Sequence, residues 1–195
     1  MGFADLQPIL QSLLESVALF NAAVRGGFKE AASSQVDLPD DKLATIQRVI
    51  SFLYNQDYNE ISTFDIQDAK DAIAEVVKPC STAQNNFEVF LAADKFDIPS
   101  LKRLAKSRLI SWIEKNPEKL SQIVRDIWVN IPPLETELQS AIINAISCHA
   151  DTFLKHDEGI KILSDLPELT IAVLKETVDE NTRLKLQPRK IRAGW

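Results

Sequence analysis

The sequence predicts an α+β fold in which helix predominates. Three observations carry that expectation. Apolar residues recur at three- and four-residue steps along most of the chain, the spacing of amphipathic helices. One stretch alone, Gln35-Val36-Asp37-Leu38-Pro39, alternates as a strand does. Prolines stand where helical stripes begin or break. The 195 residues are 45% hydrophobic and 26% charged, enough to bury a core without disulfide or metal staples. No apolar run approaches the roughly 20 residues of a membrane helix. Met1-Gly2-Phe3-Ala4-Asp5 lacks the basic start of a signal peptide. No membrane partner is therefore expected, and the expected address is cytoplasmic or nuclear.

Leu6, Ile9, Leu10, Leu13, Leu14, Val17, Ala18 and Phe20 form the first helical stripe, and Gly26-Gly27 ends it. The short strand at Val36 to Leu38 follows. Asp40 or Asp41 can cap the next helix, whose stripe reads Leu43, Ile46, Val49, Ile50 and Leu53, widened by Phe52 and Tyr54. Residues 59–86 read as an insertion, helical from Asp65 to Val77 and loop-like from Lys78 to Thr82. A helix is expected from Asn85 or Asn86, with Glu88 completing a capping box and Phe87, Phe90, Leu91 and Phe96 along it. Pro99 opens another, striped by Leu101, Leu104, Ala105, Leu109, Trp112 and Ile113. Asn116 and Pro117 read as N-cap and first residue of the next, which buries Leu120, Ile123, Val124, Ile127 and Trp128. Pro132-Pro133 forces a break. A long helix from Leu134 to Phe153 then places Leu138, Ile142, Ala145, Ile146 and His149 inside, and a last helix after Pro167 is expected to bury Ile171, Leu174 and Val178.

The chemistry-bearing residues are sparse. Cys80 and Cys148 are too far apart for a CxxC site, and His149 and His156 have no zinc-ligand spacing, so neither metal nor cofactor is expected. His149 reads as a core histidine, since adjacent helical residues diverge by about 100° and Cys148 cannot share its ligand. His156 precedes the exposed acidic pair Asp157-Glu158. The five glycines form no phosphate-cradling loop, and neither a GxSxG turn nor a Cys/His signature is present. Enzymatic activity is not expected. Asp65, Asp68 and Asp71 read as a solvated face, and Trp112 and Trp128 as core. The net charge is −6, yet the last fifteen residues hold five basic side chains and no acidic one. Arg183, Lys185, Arg189, Lys190 and Arg192 can meet an acidic partner, nucleic acid or an import receptor, or simply remain solvated.

Several words in the middle of the chain resemble a BTB/POZ domain. They are Ala18-Leu19-Phe20-Asn21-Ala22-Ala23, Gly26-Gly27-Phe28-Lys29-Glu30, Val36-Asp37-Leu38-Pro39-Asp40-Asp41, Ser51-Phe52-Leu53-Tyr54 with Asp57-Tyr58, and Val89-Phe90-Leu91-Ala92-Ala93-Asp94-Lys95-Phe96 before Ile98 and Leu101. Their order and spacing are closest to the BTB proteins of filamentous fungi. The resemblance implies an incomplete BTB/POZ fold over residues 1–115, a BACK-like helical extension over 116–180 and a basic tail over 181–195. Family members begin with a strand pair and a Val-His-Lys-like helix start ahead of the position of Phe20. Here that stretch is absent or replaced by the helix around Leu10. The strand at Val36 to Leu38 would then lack its usual neighbours, and the family's dimer interface would lack some of its first elements.

What the resemblance implies for function is a non-enzymatic protein–protein interaction module. Phe28 and Glu30 fall where many BTB adaptors carry an apolar-x-Glu motif that docks on a cullin ubiquitin-ligase scaffold. An aromatic can fill a groove between helices while a carboxylate fixes orientation. The alternative for the pair is that Phe28 packs on its own domain and Glu30 is ordinary surface. The expected partners are thus a cullin scaffold and a client protein, with a homodimer also open and nucleic acid disfavoured. Two other readings stand beside this one. One is a nuclear, self-associating or transcription-associated protein that uses its basic tail. The other is a remnant whose missing strands leave it poorly folded.

Overall fold

The computed structural model describes residue 38, residues 41–60 and residues 81–186. The regular structure among them is helical: α1 (Leu43–Asn55), α2 (Ser81–Lys95), α3 (Pro99–Lys115), a 3-10 helix (Pro117–Gln122), α4 (Val124–Asn130), α5 (Thr136–Cys148), the single turn α6 (Ala150–Phe153), α7 (Asp157–Asp165) and α8 (Pro167–Leu186). No strand occurs among the described residues. The helix expected at Leu6 to Val24, its Gly26-Gly27 stop, the helical stretch from Asp65 to Val77, Cys80 and Trp195 lie outside them. So do Val36 and Asp37. Leu38, the described end of the expected strand, is irregular, and its carbonyl accepts the Asp41 N–H at 3.3 Å in a turn. The chain divides into two compact units, Met1–Leu109 and Ile110–Trp195, and the division falls inside α3.

In the first unit α1 packs on α2. α1 buries Thr45, Arg48, Val49, Phe52 and Leu53. Leu43, expected to head that stripe, is exposed, because nine residues at 100° each set it about 180° from Phe52. The expected carboxylate cap is also absent: Asp40 lies outside the described residues, and the helix begins too late for Asp41. Lys42 occupies the N-cap without a side-chain bond, and Asp41 Oδ2 instead accepts from Lys95 Nζ of α2 at 2.7 Å. The capping box of Asn85 and Glu88 is likewise overturned, since α2 already runs from Ser81. Glu88 accepts from Lys42 Nζ at 2.6 Å and from Thr45 Oγ1 at 3.1 Å. Phe87, Phe90 and Phe96 are buried as expected. α2 closes in a Schellman motif: Asp97 takes φ 53°, the Ile98 N–H donates to Ala93 O at 2.8 Å, and the Asp97 N–H donates to Asp94 O at 3.2 Å. Pro99 then opens α3, with Leu101, Ala105 and Leu109 fully buried.

In the second unit the 3-10 helix is the hub, touching α4, α5, α6 and α7. Asn116 and Pro117 take the N-cap and first positions as expected, but the Asn116 side chain makes no capping bond. Its Nδ2 donates back to Trp112 O at 2.9 Å, closing α3 instead. Leu120, Ile123, Val124 and Ile127 are buried as expected, whereas Trp112 and Trp128 are only half-buried. The break at Pro132-Pro133 is present, but the long helix expected from Leu134 to Phe153 is two helices, α5 and α6, interrupted at His149. α5 buries Leu138, Ile142 and Ile146, while His149 is exposed rather than inside. The interruption turns its side chain off the buried stripe.

α8 holds the largest departure. It packs along α5 and α7 through Leu169 and Val173. Ile171, Leu174 and Val178, the residues whose spacing predicts the buried side, are 54%, 59% and 61% exposed. The helix is apolar on two sides, and only one of them meets α5 and α7. α8 also continues to Leu186, so the start of the expected tail, including Arg183 and Lys185, is helical.

Candidate functional site

The densest polar cluster of the described chain is built on the turn after α1. Gln56 at φ 57° ends that helix, its N–H donating to Phe52 O at 2.8 Å. The reversal brings Asp57-Tyr58-Asn59-Glu60 across α2 and the middle of α3. Asp57 Oδ1 accepts the Tyr58 N–H at 2.8 Å and Arg108 Nη2 at 2.6 Å. Arg108 Nη1 donates to Tyr58 O at 2.8 Å, and its guanidinium lies 4.5 Å from the Tyr58 ring centroid, a cation–π contact. From the other side, the Tyr58 hydroxyl donates to Asn86 Oδ1 at 2.6 Å, and Asn86 Nδ2 donates to Glu60 Oε1 at 2.7 Å. Asn85 Nδ2 donates to Glu60 O at 2.8 Å, and Arg48 Nε to Asn59 O at 3.1 Å.

The electrostatics follow from that geometry. Burial pushes the Tyr58 phenol up to about 12, so it remains a neutral donor near neutral pH. The Tyr58 N–H first, and the Arg108 guanidinium second, hold the Asp57 carboxyl below its ordinary range. Burial works against the charge of Arg108, but its bonds to Asp57 and Tyr58 leave it raised. Among the described residues no buried side-chain nitrogen or oxygen lacks a partner. The cluster therefore acts as a clasp: donors and acceptors from α1, the turn, α2 and α3 satisfy one another and fix the backbone between Asp57 and Glu60. Its groups are turned on each other, so the arrangement positions chain segments.

The residues singled out from the sequence distribute differently. Phe28 and Glu30 lie outside the described residues, as do Arg189, Lys190, Arg192, Asp65, Asp68 and Asp71. Arg183 and Lys185 stand exposed on the last turn of α8, with Arg183 Nη2 3.7 Å from Glu180 Oε1. Cys148 is exposed and its Sγ lies 4.0 Å from Glu180 Oε2. His156 is exposed beside Asp157 and Glu158. Among the described residues no three His, Cys, Asp or Glu side chains group as metal ligands, and no helix is long and apolar enough to cross a membrane.

Sequence reasoning named Asp57 and Tyr58 only as part of a family word, and it missed Arg108 and the role of Asn86. The signal available was a buried-face position occupied by an amide: Asn86 shares its helix face with the apolar Ala83, Val89 and Phe90. Compared with known proteins, the chain matches no protein-family model and no curated protein.

Proposed function

We propose that the chain is a non-enzymatic protein–protein interaction module of the BTB/POZ type, joined to a helical extension, and that it serves as a substrate adaptor for a cullin-based ubiquitin ligase. One observation carries the reading. The described words that resemble the family contribute much of the interior of the first unit, beside Val49, Phe87, Ala105 and Leu109, which lie outside them. Phe52, Leu53 and Tyr58 from one word, and Val89, Phe90 and Phe96 from the other, are all buried, and the helices that bear them pack together. A chance likeness of short words carries no requirement that they share a core. In this reading Phe28 and Glu30 hold the scaffold, the extension holds a client, and the gain is the client's effective concentration near the transfer machinery.

Calorimetric titration of the full chain with a cullin N-terminal region tests it, with Phe28→Ala, Glu30→Ala alongside. Binding by the parent that the double variant loses supports the adaptor. A well-folded parent that does not bind overturns it. A second reading, a nuclear protein that uses its basic end, draws on Arg183 and Lys185 standing exposed on the final turn of α8 ahead of the basic residues that follow. Duplex DNA binding that weakens steeply with salt and disappears on deleting residues 181–195 would favour it.

A further inference from the structure

α8 presents a second apolar face. Ile171, Leu174 and Val178 recur at three- and four-residue steps on the side opposite Leu169 and Val173, and each is more than half exposed. They line a shallow groove flanked by Lys175 and Asp179. Both flanking side chains are exposed, and among the described residues neither has an ion-pair partner. A solvated helix face of ordinary composition has no reason to repeat aliphatics at this spacing.

The charges say what covers the stripe. Lys175 and Asp179 are one turn apart on the same flank. A twofold axis through the level of Thr177 that turns a second α8 antiparallel brings Lys175 of each copy beside Asp179 of the other. It forms two ion pairs from one sequence, as an isologous interface requires. The same register interleaves Leu174 and Val178 of the two copies. In a parallel pairing the twofold axis runs along the helices and carries the charged flank of each copy to opposite sides of the interface, so neither ion pair could form.

We propose that the outer face of α8 is a self-association surface that pairs antiparallel with α8 of a second copy of this chain. Three half-exposed aliphatics present on the order of 300 Å² per copy, well below the roughly 800 Å² per partner of a standard interface, so the dimer is reversible and concentration-dependent. The proposal goes beyond the adaptor reading and is independent of it. Phe28 and Glu30 are far from α8 in the sequence, and substitutions on the outer face of α8 leave them unchanged.

Sedimentation velocity of the full chain from about 1 to about 300 μM tests it, a range that spans the affinity such an area supports. The parent passes from monomer to dimer within that range. Val178→Asp, at an exposed position, raises the dissociation constant at least about tenfold while the thermal melt is unchanged. Lys175→Asp alone and Asp179→Lys alone each weaken the dimer by placing like charges together. Mixing those two variants restores association, because each supplies the charge the other now needs. A parent that stays monomeric throughout overturns the proposal and leaves the face to a different protein. A dimer indifferent to Val178→Asp, or a mixture of the two charge variants that remains monomeric, overturns it too.

Discussion

Tyr58 and Asn86 satisfy each other inside the first unit, and that mutual dependence sets what a single atom is worth. Tyr58→Phe keeps the ring and the Arg108 contact but removes the donor to Asn86 Oδ1, leaving a fully buried acceptor without it. The expected cost is about 1–3 kcal/mol, read from the urea midpoint at unchanged slope. The pH dependence follows from the same residue. Its folded pKa of about 12 lies above the unfolded value near 10, so the folded state holds the proton more tightly. That stability is fully present below about pH 10 and is lost as the pH rises towards about 12. Tyr58→Phe should abolish this part of the alkaline limb, and an unchanged limb would sink the account. Asp57 acts in the opposite direction, its lowered pKa contributing stability above the unfolded value and losing it in acid. None of these pairings has a spacing rule. Tyr58 meets Asn86 across 28 residues and Arg108 across 50, so the word Asp57-Tyr58 was legible while its partners were not.

Helix ends were legible where proline wrote them and obscure elsewhere. Pro99 and Pro167 open helices, and Pro132-Pro133 separates two, because a missing N–H and a fixed φ admit few alternatives. By contrast Lys42, Ile123, Glu135 and His156 occupy N-caps without a side-chain bond, so α1, α4, α5 and α7 begin with no capping signature to read. α8 failed for a different reason: its better-spaced stripe faces outward, and spacing cannot tell which of two apolar sides a neighbour will cover. Two junctions make predictions. Asp97 holds the left-handed position of the Schellman motif that ends α2, where glycine has no Cβ penalty. Asp97→Gly is expected to stabilise the chain by about 0.5–1 kcal/mol, and a loss in thermal midpoint would contradict it. At Gly159 the constraint is contact. A Cβ there would collide with the Phe153 carbonyl oxygen at the end of α6. Backbone must then move, so Gly159→Ala should cost about 1–3 kcal/mol or more, visible as a drop in melting temperature.

The two units share one helix, and this shapes how the chain unfolds. α3 runs through the division at Leu109 and Ile110, carrying the fully buried Leu101, Ala105 and Leu109 in the first unit and the fully buried Ile113 in the second. Each unit therefore needs the helix to be formed for its own core, and melting α3 from either side withdraws a core residue from the other. Unfolding of the parent should be cooperative, with circular dichroism and tryptophan emission changing together. Trp112 and Trp128, both in the second unit, make emission a reporter of that unit once Trp195 is replaced by Phe, whereas dichroism averages over both. Ile110→Pro removes a mid-helix donor and drives the ring into the preceding turn, at a cost of about 3 kcal/mol or more. It also severs the shared element where the units divide. The expected result is a lower midpoint and two transitions that no longer coincide, the dichroic change beginning at a urea concentration where emission is still native or the reverse. If the parent's two probes already separate, the helix does not couple the units. If the proline variant's probes still coincide, coupling does not run through α3.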